Sequence, residues 1–385
     1  MRGASRMFGP SRVNKSLWQR LRGLSWSMVL VNLAIACIGF AILYSVAGGS
    51  LDPWASTQMK RFGILFIAMI VIAVVDIRVW MALSYPAWFT CLIMLLAVEI
   101  AGAVGMGGQR WLDIGPMRVQ PSELMKIAVV MALARYFHGR DFYQSRRLTS
   151  LIIPAMLILI PAALVVIQPD LGTGITIVGG GVAILFLAGL PAWIFWSAGI
   201  AVAAAVPIGW QFLHDYQKNR VLTFLNPESD PLGAGYQITQ SKIALGSGGL
   251  TGKGFLEGTQ SQLNFLPEMK TDFIYTVLAE EFGLIGGLIL LSLYMVVLTY
   301  GLLTGIGSRS QYGRLLAVGL SCTLYFYVLI NVGMVMGLLP VVGVPLPMVS
   351  YGGSAMMTWL IAYGLILSAA LHRHVNLAPK GSGLA

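Results

Sequence analysis

The stretch PEMKTDFIYTVLAEE, Pro267 to Glu281, begins as a polar loop and becomes an apolar, helix-like run. Asp272 sits at the changeover, and Glu280 and Glu281 lie inside the run. On a helix rising ~1.5 Å per residue, these two glutamates fall roughly 12–14 Å beyond Asp272. A charge at mid-bilayer costs about 2.5–3.5 kcal/mol, whereas each Leu, Ile, Phe or Val returns only about 0.3–0.6. If the run crosses a membrane, the two carboxylates must therefore be neutral, paired or turned to a wet interior. Such groups serve either a structural pairing or a function. Asp272 has a plainer reading, since Thr271 or Asp272 can cap a helix that starts near Phe273.

Composition says that the run does cross a membrane. The 385 residues are 57% hydrophobic and only 10% charged, with mean hydropathy +0.78. A soluble domain carries about 25% charged residues. The expected fold is an all-α polytopic membrane protein. Apolar runs long enough to span predict about ten transmembrane helices, near 25–47, 62–79, 82–104, 122–138, 149–167, 172–189, 193–213, 273–302, 315–337 and 355–371. The fifth and sixth are short and joined by QPDLGT.

Basic residues set the orientation. Arg2, Arg6, Arg12, Lys15, Arg20 and Arg22 precede the first span, and Arg140, Arg146 and Arg147 follow the fourth. Arg309 and Arg314 follow the eighth, and Arg373 and Lys380 close the chain. With an even number of spans all fall on one side, which the positive-inside rule makes cytoplasmic. The domain plan is then a basic cytoplasmic arm (1–24), a transmembrane domain (25–371) and a cytoplasmic tail (372–385). The net charge of +10 reads as orientation by basic loops rather than nucleic-acid binding. Loops 48–61, 105–121, 214–271 and 338–354 fall on the outer side. The large extracytoplasmic loop 214–271, between helices seven and eight, carries Lys218, Arg220, Lys242, Lys253 and Lys270. It is either simply solvated or a cationic surface for an anionic ligand. Cys37, Cys91 and Cys322 lie in apolar runs with no CxxC, so no disulfide framework or zinc site is expected. His138, His214, His372 and His374 are scattered or terminal and read as boundary residues.

Three further clusters stand out. GGQRWLDIGPMRVQPSELMK, Gly107 to Lys126, enters span four. Glu123 and Lys126 are three apart, so on a helix they share a face and can pair. Arg110 offers a fork suited to phosphate oxygens, and Trp111 suits the headgroup level or a sugar face. GSGGLTGKG, Gly246 to Gly254, looks phosphate-cradling, but Lys253 is followed by Gly254, so it is not a Walker A loop. A lid or a set of tight turns fits it better. LLPVVGVPLPMVSYGGS, Leu338 to Ser354, carries Pro340, Pro345 and Pro347, which forbid a regular helix. Broken backbone at membrane depth is tolerated where it is buried or lines a cavity, so this segment is expected to wall a site.

In this order the motifs GGQRWLDIG, QPSELMK, QPDLGTG, NPESDPLGAGYQITQSKIALGSGGLTGKG, GTQSQLNFLPE, TDFIYTVLAEEFGLIGG and NVGMVMGLLPVVGVPLPMVSYGGS resemble the SEDS family (shape, elongation, division and sporulation). The resemblance runs from the first span to the tenth. It lies nearer the elongation branch than the division branch, whose glycosyltransferases are the alternative within the family. One departure is Lys270, where the family commonly has His.

The resemblance implies a peptidoglycan glycosyltransferase of the inner membrane that polymerises lipid II into a nascent glycan strand. The implied partners are a class B penicillin-binding protein transpeptidase, the elongation complex and membrane lipids. The family's essential aspartate maps onto Asp272, the expected general base. Arg110, Lys126, Arg220 and Lys253 are the candidates to hold the departing diphosphate, with Glu123 positioning Lys126. Trp111, Glu280 and Glu281 complete the candidate substrate-binding set. No cofactor is required by this reading, and a divalent cation (Mg or Mn) is an admissible aid. Two other classes remain open: a lipid II flippase using Glu99, Glu280, Glu281 and Lys126 as in-membrane stations, and a non-enzymatic scaffold for the transpeptidase.

Overall fold

A computed structural model of the chain describes residues 16–105, 108–114, 117–140, 148–212, 215–230, 233–263 and 265–377. Arg2, Arg6, Arg12, Lys15, Arg146, Arg147, His214 and Lys380 lie outside these residues. Within the arm, helix α1 (Leu17–Arg22) is closed by a capping box between Ser16 and Gln19.

Helices stand in the place of all ten expected spans: α2 (Trp26–Val46), α3 (Trp54–Val74), α4 (Ile77–Ala101), α5 (Pro121–Phe137), α6 (Ile152–Ile167), α7 (Leu171–Leu187), α8 (Ala192–Phe212), and three further on in the chain. Seven of the ten are long and apolar enough to cross a membrane, and α6 and α7 are apolar but shorter. The protein is a multi-pass membrane protein. Two boundaries differ from expectation. Helix α3 begins at Trp54 rather than 62, because Lys60 and Arg61 sit near its end, where cations reach water. Helix α4 begins at Ile77 rather than 82, because Asp76 caps it through the amide of Arg78. Continuous hydropathy on both sides of Asp76 had hidden that turn.

Segment 214–271 is not a bare loop. It folds into α9 (Asp215–Leu225), α10 (Ala234–Ser247) and α11 (Thr259–Gln262). The chain then enters α12 (Ile274–Ile306), α13 (Gln311–Val335) and α14 (Gly353–Leu371). The all-α expectation also misses a small antiparallel sheet: β1 (Ala103–Gly105), β2 (Gly108–Ile114) and β3 (Met117–Val119), in the order β1-β2-β3. In β2–β3 the register sets Asp113 opposite Arg118, and their side chains pair at the exposed surface.

Helices α5, α13 and α14 form the centre of the bundle. They pack on one another, α5 also against α4 and α7, and α14 also against α3. Helix α5 is buried on nearly every side, Glu123 and Lys126 included. Helix α8 is the opposite case, with no buried residue over 192–211.

Helix α12 is broken at Gly283 (φ 66°, ψ −164°). At the break the amides of Leu284 and Ile285 lose their helical acceptors. The carbonyls of Gly249 and Leu250 replace them at 3.0 and 3.1 Å. In return, the amides of Lys253 and Gly254 bond to the carbonyls of Glu280 and Glu281 at 3.0 and 3.1 Å. The glycine-rich segment is thus a set of tight turns docked on a kink. Glycine is needed there: a Cβ on Gly252 would collide with the Glu281 carbonyl oxygen.

Candidate active site

The approach to α12 positions Asp272. Residues 267–273 form consecutive turns, in which the amides of Thr271 and Phe273 both bond to the Glu268 carbonyl at 3.2 Å. The Thr271 hydroxyl donates to the Glu268 carboxylate at 2.8 Å. The helix N-cap is Phe273, with no side-chain cap bond. Capping by Thr271 or Asp272 is therefore overturned: the turns move the N-cap on to Phe273, and the Thr271 hydroxyl is bonded to Glu268 instead. The Asp272 carboxyl accepts no hydrogen bond from any described residue.

Three elements clamp this turn. Asn331, on α13, donates to the carbonyls of Asp272 and Val344, both at 2.8 Å. The Ser350 hydroxyl donates to the Thr271 carbonyl at 2.6 Å and accepts from the Leu346 amide. Gln58, on α3, donates to the Ser350 carbonyl at 2.9 Å. The proline-broken segment 338–352 therefore does wall the site. Gly343 (φ 74°) faces the acid, and a Cβ there would lie 3.5 Å from Asp272 Oδ2.

Asp272 is half-buried. Burial, then the nearby Glu268 and Asp170 carboxylates, push its carboxyl up to about 7, and Arg220 pulls the other way. Of the predicted cations, Arg220 is the one whose field acts on Asp272.

The other predicted residues are distributed as follows. Lys126 Nζ lies 2.6 Å from Glu123 and 2.5 Å from the Tyr327 hydroxyl, which donates to the other Glu123 oxygen. This closed triangle is buried among α5 and α13. Lys253 Nζ lies 2.7 Å from Glu280, which also accepts from Thr259 and Gln260. Glu281 accepts from Ser45, on α2. Glu280 and Glu281 therefore hold the glycine-rich segment and α2. Arg110 donates to the carbonyls of Gln168 and Pro169, and Trp111 is half-buried beside it on β2. The structure thus brings Asp272 and Arg220 together and commits Lys126, Lys253 and Arg110 to partners within the chain.

Asp170 was missed. It is buried, accepts from Gln120 at 2.9 Å and caps α7 through the Thr173 amide. Its field reaches both Asp272 and Tyr327. The signal was present in QPDLGT. An even span count places that short turn on the same side as 214–271, with a carboxylate ahead of a helix. Tyr327 offered no such signal, as one tyrosine in an apolar run.

No group of three His, Cys, Asp or Glu among the described residues could hold a metal ion.

A family model described as "Cell cycle protein", covering FtsW, RodA and SpoVE, matches residues 25–375. The chain belongs to the SEDS family. Among its relatives, "Peptidoglycan glycosyltransferase MrdB" of Escherichia coli K12 is 46% identical over 360 residues, 93% of this SEDS chain and 96% of the relative. "Stage V sporulation protein E" of Bacillus subtilis is 36% identical, covering 89% and 96%. The fold is similar to a structure described as "Structural coordination of polymerization and crosslinking by a peptidoglycan synthase complex", with TM-score 0.79 and 30% identity, covering 91% and 98%. Thermus thermophilus RodA matches with TM-score 0.69 and 27% identity over 91% and 98%.

Proposed function

We propose that this SEDS protein is a peptidoglycan glycosyltransferase that polymerises lipid II on the outer face of the inner membrane during elongation. The acceptor sugar 4-hydroxyl attacks the anomeric carbon of a lipid-linked donor. A C–O bond forms there, the bond to the diphosphate breaks, and undecaprenyl diphosphate leaves. Asp272 takes the hydroxyl proton. The observation that carries this role is a half-buried carboxyl with no hydrogen bond from any described residue, held near pH 7 by its surroundings. A base works best when its pKa lies near the operating pH. Neutral carboxylic acid and carboxylate are then both accessible during turnover.

Arg220 supplies positive potential next to the acid. The Glu123–Lys126–Tyr327 triangle fixes the helices behind the site. A divalent ion would depend largely on the diphosphate oxygens for its ligands, since no cluster of protein donors lies among the described residues. The similar peptidoglycan synthase complex coordinates polymerisation with crosslinking. By extension a class B penicillin-binding protein is the partner here. A transport path gains no support: Lys126, Glu280 and Glu281 are all held by partners, and Glu99 is exposed on α4.

The test is polymerisation of lipid II by the purified protein with its transpeptidase. Wild type should yield glycan strands, and Asp272→Asn should lower their formation by roughly 10²-fold or more. Wild-type rates in Asp272→Asn would remove the base from the scheme. Movement of labelled lipid II across vesicles without polymer would replace the enzyme with a transporter.

A further inference from the structure

The cations first expected to bind the diphosphate are largely spoken for inside the chain. Two other cations lie near the turn that carries Asp272, with no carboxylate partner among the described residues. The Arg61 guanidinium sits 5.3 Å from the centre of the Tyr351 ring. Lys270 Nζ sits 5.1 Å over Trp54, and the Lys270 carbonyl accepts the Tyr351 amide at 2.8 Å. Arg61 therefore packs on Tyr351, whose amide is bonded to the backbone of Lys270, and Lys270 precedes Asp272 by two positions.

Tyr351 leads directly into α14. That helix has no side-chain cap and no acidic residue in its first turn. The amides of Gly353, Ser354 and Ala355 have no acceptor among the described residues. Arg61 lies across this end, with Cδ 3.5 Å and Nη1 3.7 Å from where a Cβ on Gly353 would be. The second, independent sign of a ligand is Ser354. It is 4% exposed, belongs to that same first turn, and its hydroxyl has no hydrogen-bond partner. A buried hydroxyl without a partner is costly unless something else completes it. Open helix amides, an arginine fork and a second cation are what a phosphate group requires.

We propose that Arg61, Lys270, Ser354 and the open first turn of α14 form the diphosphate-binding subsite, against the turn that carries Asp272. This rests on the glycosyltransferase reading, which identifies the anion as the diphosphate of lipid II or of the departing undecaprenyl diphosphate. Held there, the diphosphate places the sugar it carries next to Asp272, and its leaving charge is met by Arg61 and Lys270. The long side chain of Arg61 also explains why α3 extends past the apolar run expected for it.

The test is binding of undecaprenyl diphosphate to the full chain in nanodiscs, with undecaprenol as the uncharged control. Arg61→Gln should weaken undecaprenyl diphosphate binding by roughly tenfold or more, and Lys270→Gln by several-fold. Neither should change undecaprenol binding or thermal unfolding. Arg61→Lys should recover part of the affinity, and Asp272→Asn should bind at least as tightly as wild type, since it removes a neighbouring negative charge. Unchanged binding in Arg61→Gln overturns the subsite while leaving the polymerase reading intact, because polymer formation tests that reading separately. Equal losses for undecaprenol also overturn it, since they would mark a structural defect. If wild type makes no polymer but Arg61→Gln still loses undecaprenyl diphosphate, the anion site stands and the reaction assigned to it falls.

Discussion

The Asp272 carboxyl is split between two protonation states near pH 7, and activity and stability respond to that in opposite directions. The base must be ionised, so polymerisation should rise with pH through about 7, the value to which burial, Glu268 and Asp170 bring the group. Stability runs the other way. Between its ordinary value of 3.8 and about 7, the folded chain holds a proton at Asp272 that the unfolded chain has released. Stability therefore falls as pH rises across that window. Asp272→Asn removes the penalty, so at pH 8 it should melt a few degrees above wild type, with the gap closing near pH 4. A scan of thermal unfolding against pH, beside a pH–rate profile, checks both halves. An Asp272→Asn variant less stable than wild type at pH 8 would contradict the crowded-carboxylate picture. Asp272 was legible as a candidate because a carboxylate stands out where polar loop meets apolar run. The Glu123–Lys126 pair was legible from its three-residue spacing. Tyr327 was not found, because its role arises from a helix distant in sequence; Asp170 was missed although QPDLGT places a carboxylate directly ahead of a helix. The cap expected from Thr271 or Asp272 failed because turn geometry, not residue type, decides which residue stands at the helix start.

Among the elements, the kink in α12 and the glycine-rich segment act as one unit. Lys253 and Glu280 join them through a contact that is buried on the glutamate side. Removing one partner leaves an uncompensated buried charge, which costs about 3–5 kcal/mol, whereas replacing both with apolar residues is often near neutral. Lys253→Met should therefore destabilise the protein strongly, and adding Glu280→Met should restore most of the loss. Thermal unfolding of the two single variants and the double variant measures the coupling. If Lys253 instead served the substrate alone, Lys253→Met would lower affinity for undecaprenyl diphosphate with unfolding unchanged. Gly283→Ala should also destabilise, by roughly 1–3 kcal/mol or more. Its φ of 66° is unfavourable for alanine, and a Cβ would collide with the Gly252 amide nitrogen. The helices themselves were readable from hydropathy because apolar length dictates a span. The kink was not, since one glycine in an apolar run carries no mark of its backbone angles.

For the whole molecule the question is which end faces out. A simple count of cations is ambiguous, because both ends carry many. Loop length separates them. At the end that holds Asp272, Lys218, Arg220, Lys242, Lys253 and Lys270 all fall in the one long segment 214–271. At the opposite end, Arg22, Arg78, Arg140, Arg309, Arg314 and Arg373 lie at helix ends or in short connections. Basic residues close to the spans and in short loops set orientation, while long segments translocate largely regardless of charge, so the second set should govern, with that end in the cytoplasm. The prediction is a labelling pattern in intact cells. In a background with Cys37, Cys91 and Cys322 replaced, Glu257→Cys should react with a membrane-impermeant maleimide from outside, because Glu257 is exposed beside the docked glycine-rich turns. Arg373→Cys, exposed just past α14, should react only after permeabilisation. The reverse pattern would put Asp272 on the cytoplasmic face, and the base, subsite and reaction proposed for the outer face would all fall together.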